Sequence, residues 1–287
     1  MSGRFCYLVV EVYFTKWNSK SRKNAYPQVK LPDKSKIHES GEKNVMDTYI
    51  ENKMILLPSG EETIRKFRDT DKWISSDYRM AMPGKKSNLS EYSETQTVKP
   101  FYMMQIPVTT SLYDAIMYNQ DFKEEKNKPA VNVSWYDAIK FCNLLSVRMG
   151  VSSCYQLGDS PDAVSCDWEG NGFRLASEAE WQYACRAGTR EYRYGELDAI
   201  AWYEGNSEGR VHPVGKKSPN TWGLYDMIGN VWEWCWDLYD KERYGSYRVF
   251  RGGSFSDEGR LCGATCRRRS MPSFQIEDLG FRIVRTA

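Results

Sequence analysis

The sequence predicts an α+β fold in which two helices and a few short strands carry very long irregular loops. Three observations lead there. Two segments carry helix-start signals followed by apolar residues at helical spacing. The strand-like apolar runs are short. From Arg190 onward the chain is mostly Gly, Pro, Asn and aromatic residues, with no further long helical pattern. Loops of that length are uncommon in a compact domain unless they bind something. The 10 Trp, 19 Tyr and 11 Phe suit such a fold, because large rings fill a core that has little regular structure.

Taken in order, residues 15–53 are rich in Lys, Ser, Asn and Glu with few apolar clusters, so residues 1–53 read as a polar, partly extended N-terminal arm. Residues 54–287 then form the domain. Met54-Ile55-Leu56-Leu57-Pro58 reads as the first strand and Lys99 to Val108 as the second, with Gly84 to Thr97 a polar loop between them. Ser134 precedes Trp135-Tyr136-Asp137 at capping-box spacing, and Ala138, Phe141, Cys142 and Leu145 make one buried stripe. Ser177 and Glu180 repeat the box, Trp181, Ala184 and Cys185 face inward, and Gly188 ends the second helix where a left-handed residue is needed. Trp232, Trp234 and Trp236 alternate like a strand with one face of indole, which predicts core packing.

Composition removes several function classes. A net charge of +2 gives no electrostatic basis for nucleic acid or an anionic membrane. No run approaches the ~18 apolar residues of a transmembrane segment. Tyr7 to Phe14 is apolar but contains Glu11 and is too short for a secretory signal, so no export signal is visible. The eight cysteines have no CxxC spacing, which argues against a zinc ribbon; Cys154 and Cys166 could pair as a disulfide. With only His38 and His212, histidine-based metal catalysis and a Ser-His-Asp triad are nearly excluded.

The final forty residues carry the functional signal. Arg251-Gly252-Gly253-Ser254-Phe255 opens them and Leu279-Gly280-Phe281-Arg282 closes them, and Ser256 to Asp278 in between has no period of two or 3.6. Aperiodic sequence framed by scaffold is how a displayed loop surface reads. These ends, with Asn132-Val133-Ser134-Trp135, the run Gly172 to Trp181 and the run Gly223 to Trp234, resemble the formylglycine-generating-enzyme family from about Met54 to the C-terminus. The resemblance implies a variant C-type lectin fold, with two helices, small antiparallel sheets and long irregular loops.

That family divides by function. Its copper-dependent oxidases carry two cysteines between Gly-Gly-Ser and Gly-Phe-Arg. Here the first should fall near Ser256 or Asp257, which cannot ligate copper(I) through sulfur, and the second near Leu261 or Cys262. The better match is the branch of variable proteins diversified by retroelements, in which mutagenic reverse transcription rewrites this segment at adenines. Most residues from Ser256 to Asp278 are reachable from asparagine codons in that way; Glu258, Met271, Gln275 and Glu277 are not.

The resemblance therefore implies a non-enzymatic binder with a variable region at about 255–278. The expected ligand-binding residues are Ser256, Asp257, Leu261, Cys262, Gly263, Cys266, Arg268, Arg269, Ser270, Ser273, Phe274, Ile276 and Asp278. Phe274 and Ile276 are expected to be exposed, Phe255 to be scaffold, and Arg267 to pair with an internal carboxylate. Aliphatic, aromatic and arginine residues together point to a protein or peptide partner. No cofactor is required. Asp226, Gly229, Val231 and Glu233 match family positions that hold a structural calcium through two side chains and two carbonyls; the alternative is a hydrogen-bonded turn with Glu233 paired to an arginine. A monomer at the cell surface or otherwise extracytoplasmic fits the resemblance. The alternatives are a copper-dependent cysteine oxidase and a structural domain in a permanent assembly.

Overall fold

Ser134 starts the longest helix as its sequence requires. Its hydroxyl accepts from the Asp137 N–H at 3.0 Å while the Asp137 carboxylate accepts from the Ser134 N–H at 3.2 Å. The computed structural model of the chain describes residues 45–69, 89–125, 127–158 and 163–287. Its helices are α1 (Val45–Lys53), α2 (Thr110–Tyr118), α3 (Trp135–Arg148), α4 (Glu178–Arg186), and the short α5 (Leu197–Ile200) and α6 (Lys241–Tyr244). Helix α4 has the second capping box, Ser177 with Glu180. It ends on Ala187 at φ 45°, one residue before the expected glycine, and Gly188 follows at φ 87°.

Two four-stranded sheets hold the domain together. One is ordered β1 (Met54–Leu57), β4 (Phe101–Met104), β12 (Ile283–Thr286), β7 (Phe173–Leu175), with antiparallel neighbours throughout. The other is ordered β10 (Arg267–Ser270), β9 (Arg248–Arg251), β8 (Trp232–Leu238), β11 (Leu279–Phe281). Its β11–β8 pair is parallel and its other pairs are antiparallel. Two hairpins complete the described strands, β2 (Gly60–Asp69) with β3 (Leu89–Val98), and β5 (Tyr155–Leu157) with β6 (Val164–Cys166).

Aromatic residues fill the space between these elements. Trp135, Trp181, Trp232 and Trp234 are fully buried, and each indole N–H finds an acceptor, at Cys235 O, Glu233 Oε2, Asp257 Oδ2 and Val133 O respectively. Cys142 and Cys185 are buried in the helix stripes. Cys154 and Cys166 are free thiols on the paired β5–β6 hairpin and its approach.

Three expectations need correction. The arm does not extend to residue 53: Val45–Lys53 is helical and buries Met46, Tyr49 and Ile50, while 1–44, including His38, lie outside the described residues. The segment expected to be a polar loop over 84–97 is largely strand β3, because its backbone pairs residue for residue with β2; residues 84–88 lie outside the described residues. The helices also include α2, capped by Thr109 accepting from Leu112 N–H at 3.3 Å, and the second strand expected over 99–108 is the shorter β4.

Candidate functional site

The segment between the two terminal signatures is closed at its base by side chains. Ser254 Oγ lies 2.6 Å from Asp257 Oδ2 and 2.7 Å from Asp278 Oδ2, and Ser256 Oγ donates to the same Asp278 oxygen at 2.9 Å. Asp257 also accepts from the Trp232 indole at 2.7 Å and pairs with Arg268 at 2.9 Å. Both aspartates are buried, so the first and last residues of the loop are tied into one hydrogen-bonded network.

Away from its base, the segment is held mainly through its backbone. Arg193 donates to Gly259 O at 2.5 Å and Cys262 O at 2.9 Å. Tyr192 donates from its hydroxyl to Arg260 O at 2.7 Å, and its own carbonyl accepts from Ala264 N–H. Arg251 donates to Ala264 O. Helix α3 and its approach take the other half: Trp135 N–H donates to Pro272 O and Asn132 N–H to Ile276 O, both at 3.0 Å. None of these bonds depends on the side chain at the position being held.

The expected site residues divide accordingly. Ser256, Ser273 and Ile276 are exposed, Ile276 to 40%. Leu261, Cys266, Arg268, Arg269, Ser270 and Phe274 are half-buried. Phe274 packs against the core more than its polar neighbours suggested, and Arg268 lies over the Trp232 ring at 4.8 Å. Four expected display positions are instead buried scaffold. Asp257 and Asp278 close the loop, Cys262 has its sulfur against Ser254 O, and Gly263 lies under the Tyr192 ring, where any Cβ would run into it. Phe255 is buried, as expected of scaffold.

Arg267 pairs with an internal carboxylate, Glu178, at 2.6 Å; Arg251 pairs with the same group at 2.6 Å. Burial alone would raise Glu178, but the two guanidinium groups outweigh it and hold the carboxyl below its ordinary range. Arg269 rests over Tyr239 and Tyr244 at 4.7 and 3.8 Å. Met271, which is 50% exposed, and the anchors Tyr192 and Arg193 also belong to the site, beyond the residues expected. Met271 fell outside the codon argument, and nothing in the local sequence marks the anchors.

The candidate calcium ligands of the turn at 226–233 make contacts within the protein. Glu233 is 1% exposed, and its two oxygens accept from Arg282 at 2.8–3.3 Å and from the Trp181 indole at 2.8 Å. The Gly229 carbonyl accepts from Val231 N–H, and Asp226 Oδ2 from Gly215 N–H. Asp226 Oδ1 is buried without a partner, the only carboxylate oxygen of the set left over. The buried Arg282 guanidinium already supplies the positive charge that Glu233 needs. Burial pushes Asp226 up to about 6, against the pull of the Gly215 N–H and the Arg282 charge.

The fold and sequence have counterparts among known proteins. Residues 42–287 match the profile of the sulfatase-modifying factor enzyme 1-like domain. Treponema denticola variable protein 1 superposes with a TM-score of 0.65 at 28% identity, over 82% of this chain and 95% of that one. Chaperone protein LppX of Paenibacillus barcinonensis is 27% identical over 241 residues, 70% of this chain and 86% of that protein. The formylglycine-generating enzyme of Streptomyces coelicolor is 28% identical over 200 residues, 58% of this chain but only 55% of the enzyme. From its α+β C-type-lectin-like architecture and its profile match alike, the chain belongs to the sulfatase-modifying factor enzyme 1-like family.

Proposed function

We propose that this protein is a non-enzymatic binder whose segment 256–278 displays variable side chains, rewritten by a retroelement, to a protein or peptide ligand. The observation that carries this reading is the backbone anchoring of the segment. Side chains can change at the exposed positions without loss of the bonds that fix the loop, so ordering costs little when a ligand binds. Met271 and Ile276, exposed beside the half-buried Phe274, offer apolar contact area, with serines and arginines around them for fit. The similarity to a variable protein supports the reading.

The displayed set differs from the expected one by the loss of Asp257, Cys262, Gly263 and Asp278: it is Ser256, Leu261, Cys266, Arg268, Arg269, Ser270, Ser273, Phe274 and Ile276, joined by Arg260, Thr265 and Met271. No described helix is long and apolar enough to cross a membrane. A monomer at the cell surface or elsewhere outside the cytoplasm suits the role. Sedimentation tests the monomer, since a permanent assembly would show no dissociation on dilution.

The oxidase alternative is disfavoured by chemistry. Asp257 stands near the expected position of the first cysteine, engaged with Trp232 and Arg268. Burial pushes the Cys262 thiol up to about 12, helped by Asp257 and Cys266, so without a metal it rests as a thiol. A library randomised at Ser256, Arg260, Leu261, Thr265, Ser270, Ser273 and Ile276 tests the proposal. Most members should stay folded and the library should yield binders to unrelated proteins. A library that is mostly unfolded refutes display; tight copper(I) binding abolished by Cys262→Ser favours the oxidase.

A further inference from the structure

A second site lies outside the displayed segment. A cavity of about 220 Å³ opens between α1, the residues after β4, the loop after α2 and the 214–225 loop. Tyr49 and Lys53, one helical turn apart on α1, line it, as does Glu124. Lys53 and Glu124 form no ion pair with each other, and neither pairs with another charged group among the described residues. The ammonium of Lys53 has only the Tyr49 ring, 5.9 Å away. Gln105 and Asn127 add side-chain amides that have no hydrogen-bond partner among the described residues. Ile106 and Val214 are buried and give the lining an apolar part.

This lining discriminates by charge. A simple anion would be drawn to Lys53 and repelled by Glu124, and a simple cation would meet the reverse. An uncharged ligand would cover both charges and satisfy neither, at the cost of their hydration. A small dipolar ligand meets both at once, with its carboxylate toward Lys53 and its ammonium toward Glu124, and the amides are free for its remaining polar atoms. The volume admits a single amino acid. The field of Glu124 reaches into the cavity wall: the Tyr49 phenol is pushed up to about 12 by burial and then by that charge.

We propose that this cavity binds a free α-amino acid, or a similar small zwitterion, through Lys53 and Glu124. The site stands independently of the variable-segment reading, since none of its lining residues belongs to 256–278. Titration calorimetry and thermal melts of the full chain, with each of the twenty free amino acids at ~10 mM, test it. At least one should raise Tm by about 2 °C or more, while its N-acetyl and carboxamide forms should not. Lys53→Met and Glu124→Gln should each weaken binding by roughly tenfold or more. Both residues lie at or near the surface, so ligand-free melts should match wild type; Asn127→Ala serves as a second probe if either does not. No response to any free amino acid, or an equal response to the blocked forms or in both charge variants, overturns the proposal.

Discussion

Arg282 places a buried positive charge against Glu233, one of the expected calcium ligands. Its guanidinium faces Glu233, donates to the carbonyls of Met104 and Tyr225, and is 1% exposed. Removing it leaves a buried carboxylate unpaired, so Arg282→Met should cost about 3–5 kcal/mol in chemical denaturation. Calcium or a chelator should leave Tm unchanged; a calcium-dependent rise would show that a cation displaces the arginine. Asp226 carries the opposite burden, a buried carboxyl whose folded value of about 6 lies above its ordinary 3.8. A raised carboxyl favours the folded state where it is protonated, and that contribution falls as pH rises from about 4 through 6. Asp226→Asn should therefore be near neutral at pH 4 and stabilise by up to about 3 kcal/mol above pH 7. A destabilised variant at pH 8 would mean that the charged form is needed.

At the scale of elements, the strap at Tyr192 and Arg193 and the network at the loop base divide the work of holding segment 256–278. Arg193→Ala should speed hydrogen exchange at the amides of 261–264 while leaving those of β8 and β9 protected. Gly263→Ala should cost about 1–3 kcal/mol by driving the loop off the Tyr192 ring. Asp257→Ala should cost about as much by leaving the Trp232 indole without its acceptor, and Asp278→Ala by removing the oxygen shared by Ser254 and Ser256, whereas Ile276→Ala or Ser273→Ala should stay within about 0.5 kcal/mol. Equal costs at the exposed and buried positions would remove the distinction between scaffold and display. The helices with capping boxes were legible because their signals are local, as at Ser134–Asp137 and Ser177–Glu180. Hairpin β2–β3 was not, because polar residues such as Glu61, Thr63 and Thr95 give no alternation to read, and α1 lacks a strong apolar stripe. Within the site, the frame could be read from its Gly-Gly-Ser and Gly-Phe-Arg ends. Which aspartates turn inward could not, since that depends on Trp232 and Ser254 arriving from different strands and loops.

For the whole molecule, the sheets and aromatic core bring the chain's last forty residues back across β8 and α3, so that the loop lies on a rigid base. Fold alone does not fix function, and the same scaffold supports enzymes among its relatives. What favours a binder here is a loop anchored by its backbone, with a carboxylate near the place where a copper ligand would be needed. The most direct test is to sequence the DNA across and beyond the 3′ end of the gene. The proposed function predicts a nearby non-coding near-copy of the codons for 256–278, differing mainly at adenines, beside a reverse transcriptase gene. Its substitutions should fall on exposed or half-buried positions such as Arg260, Leu261, Ser273 and Ile276 and spare Asp257, Gly263 and Asp278. Absence of any such repeat, or substitutions concentrated at the buried positions, would contradict it.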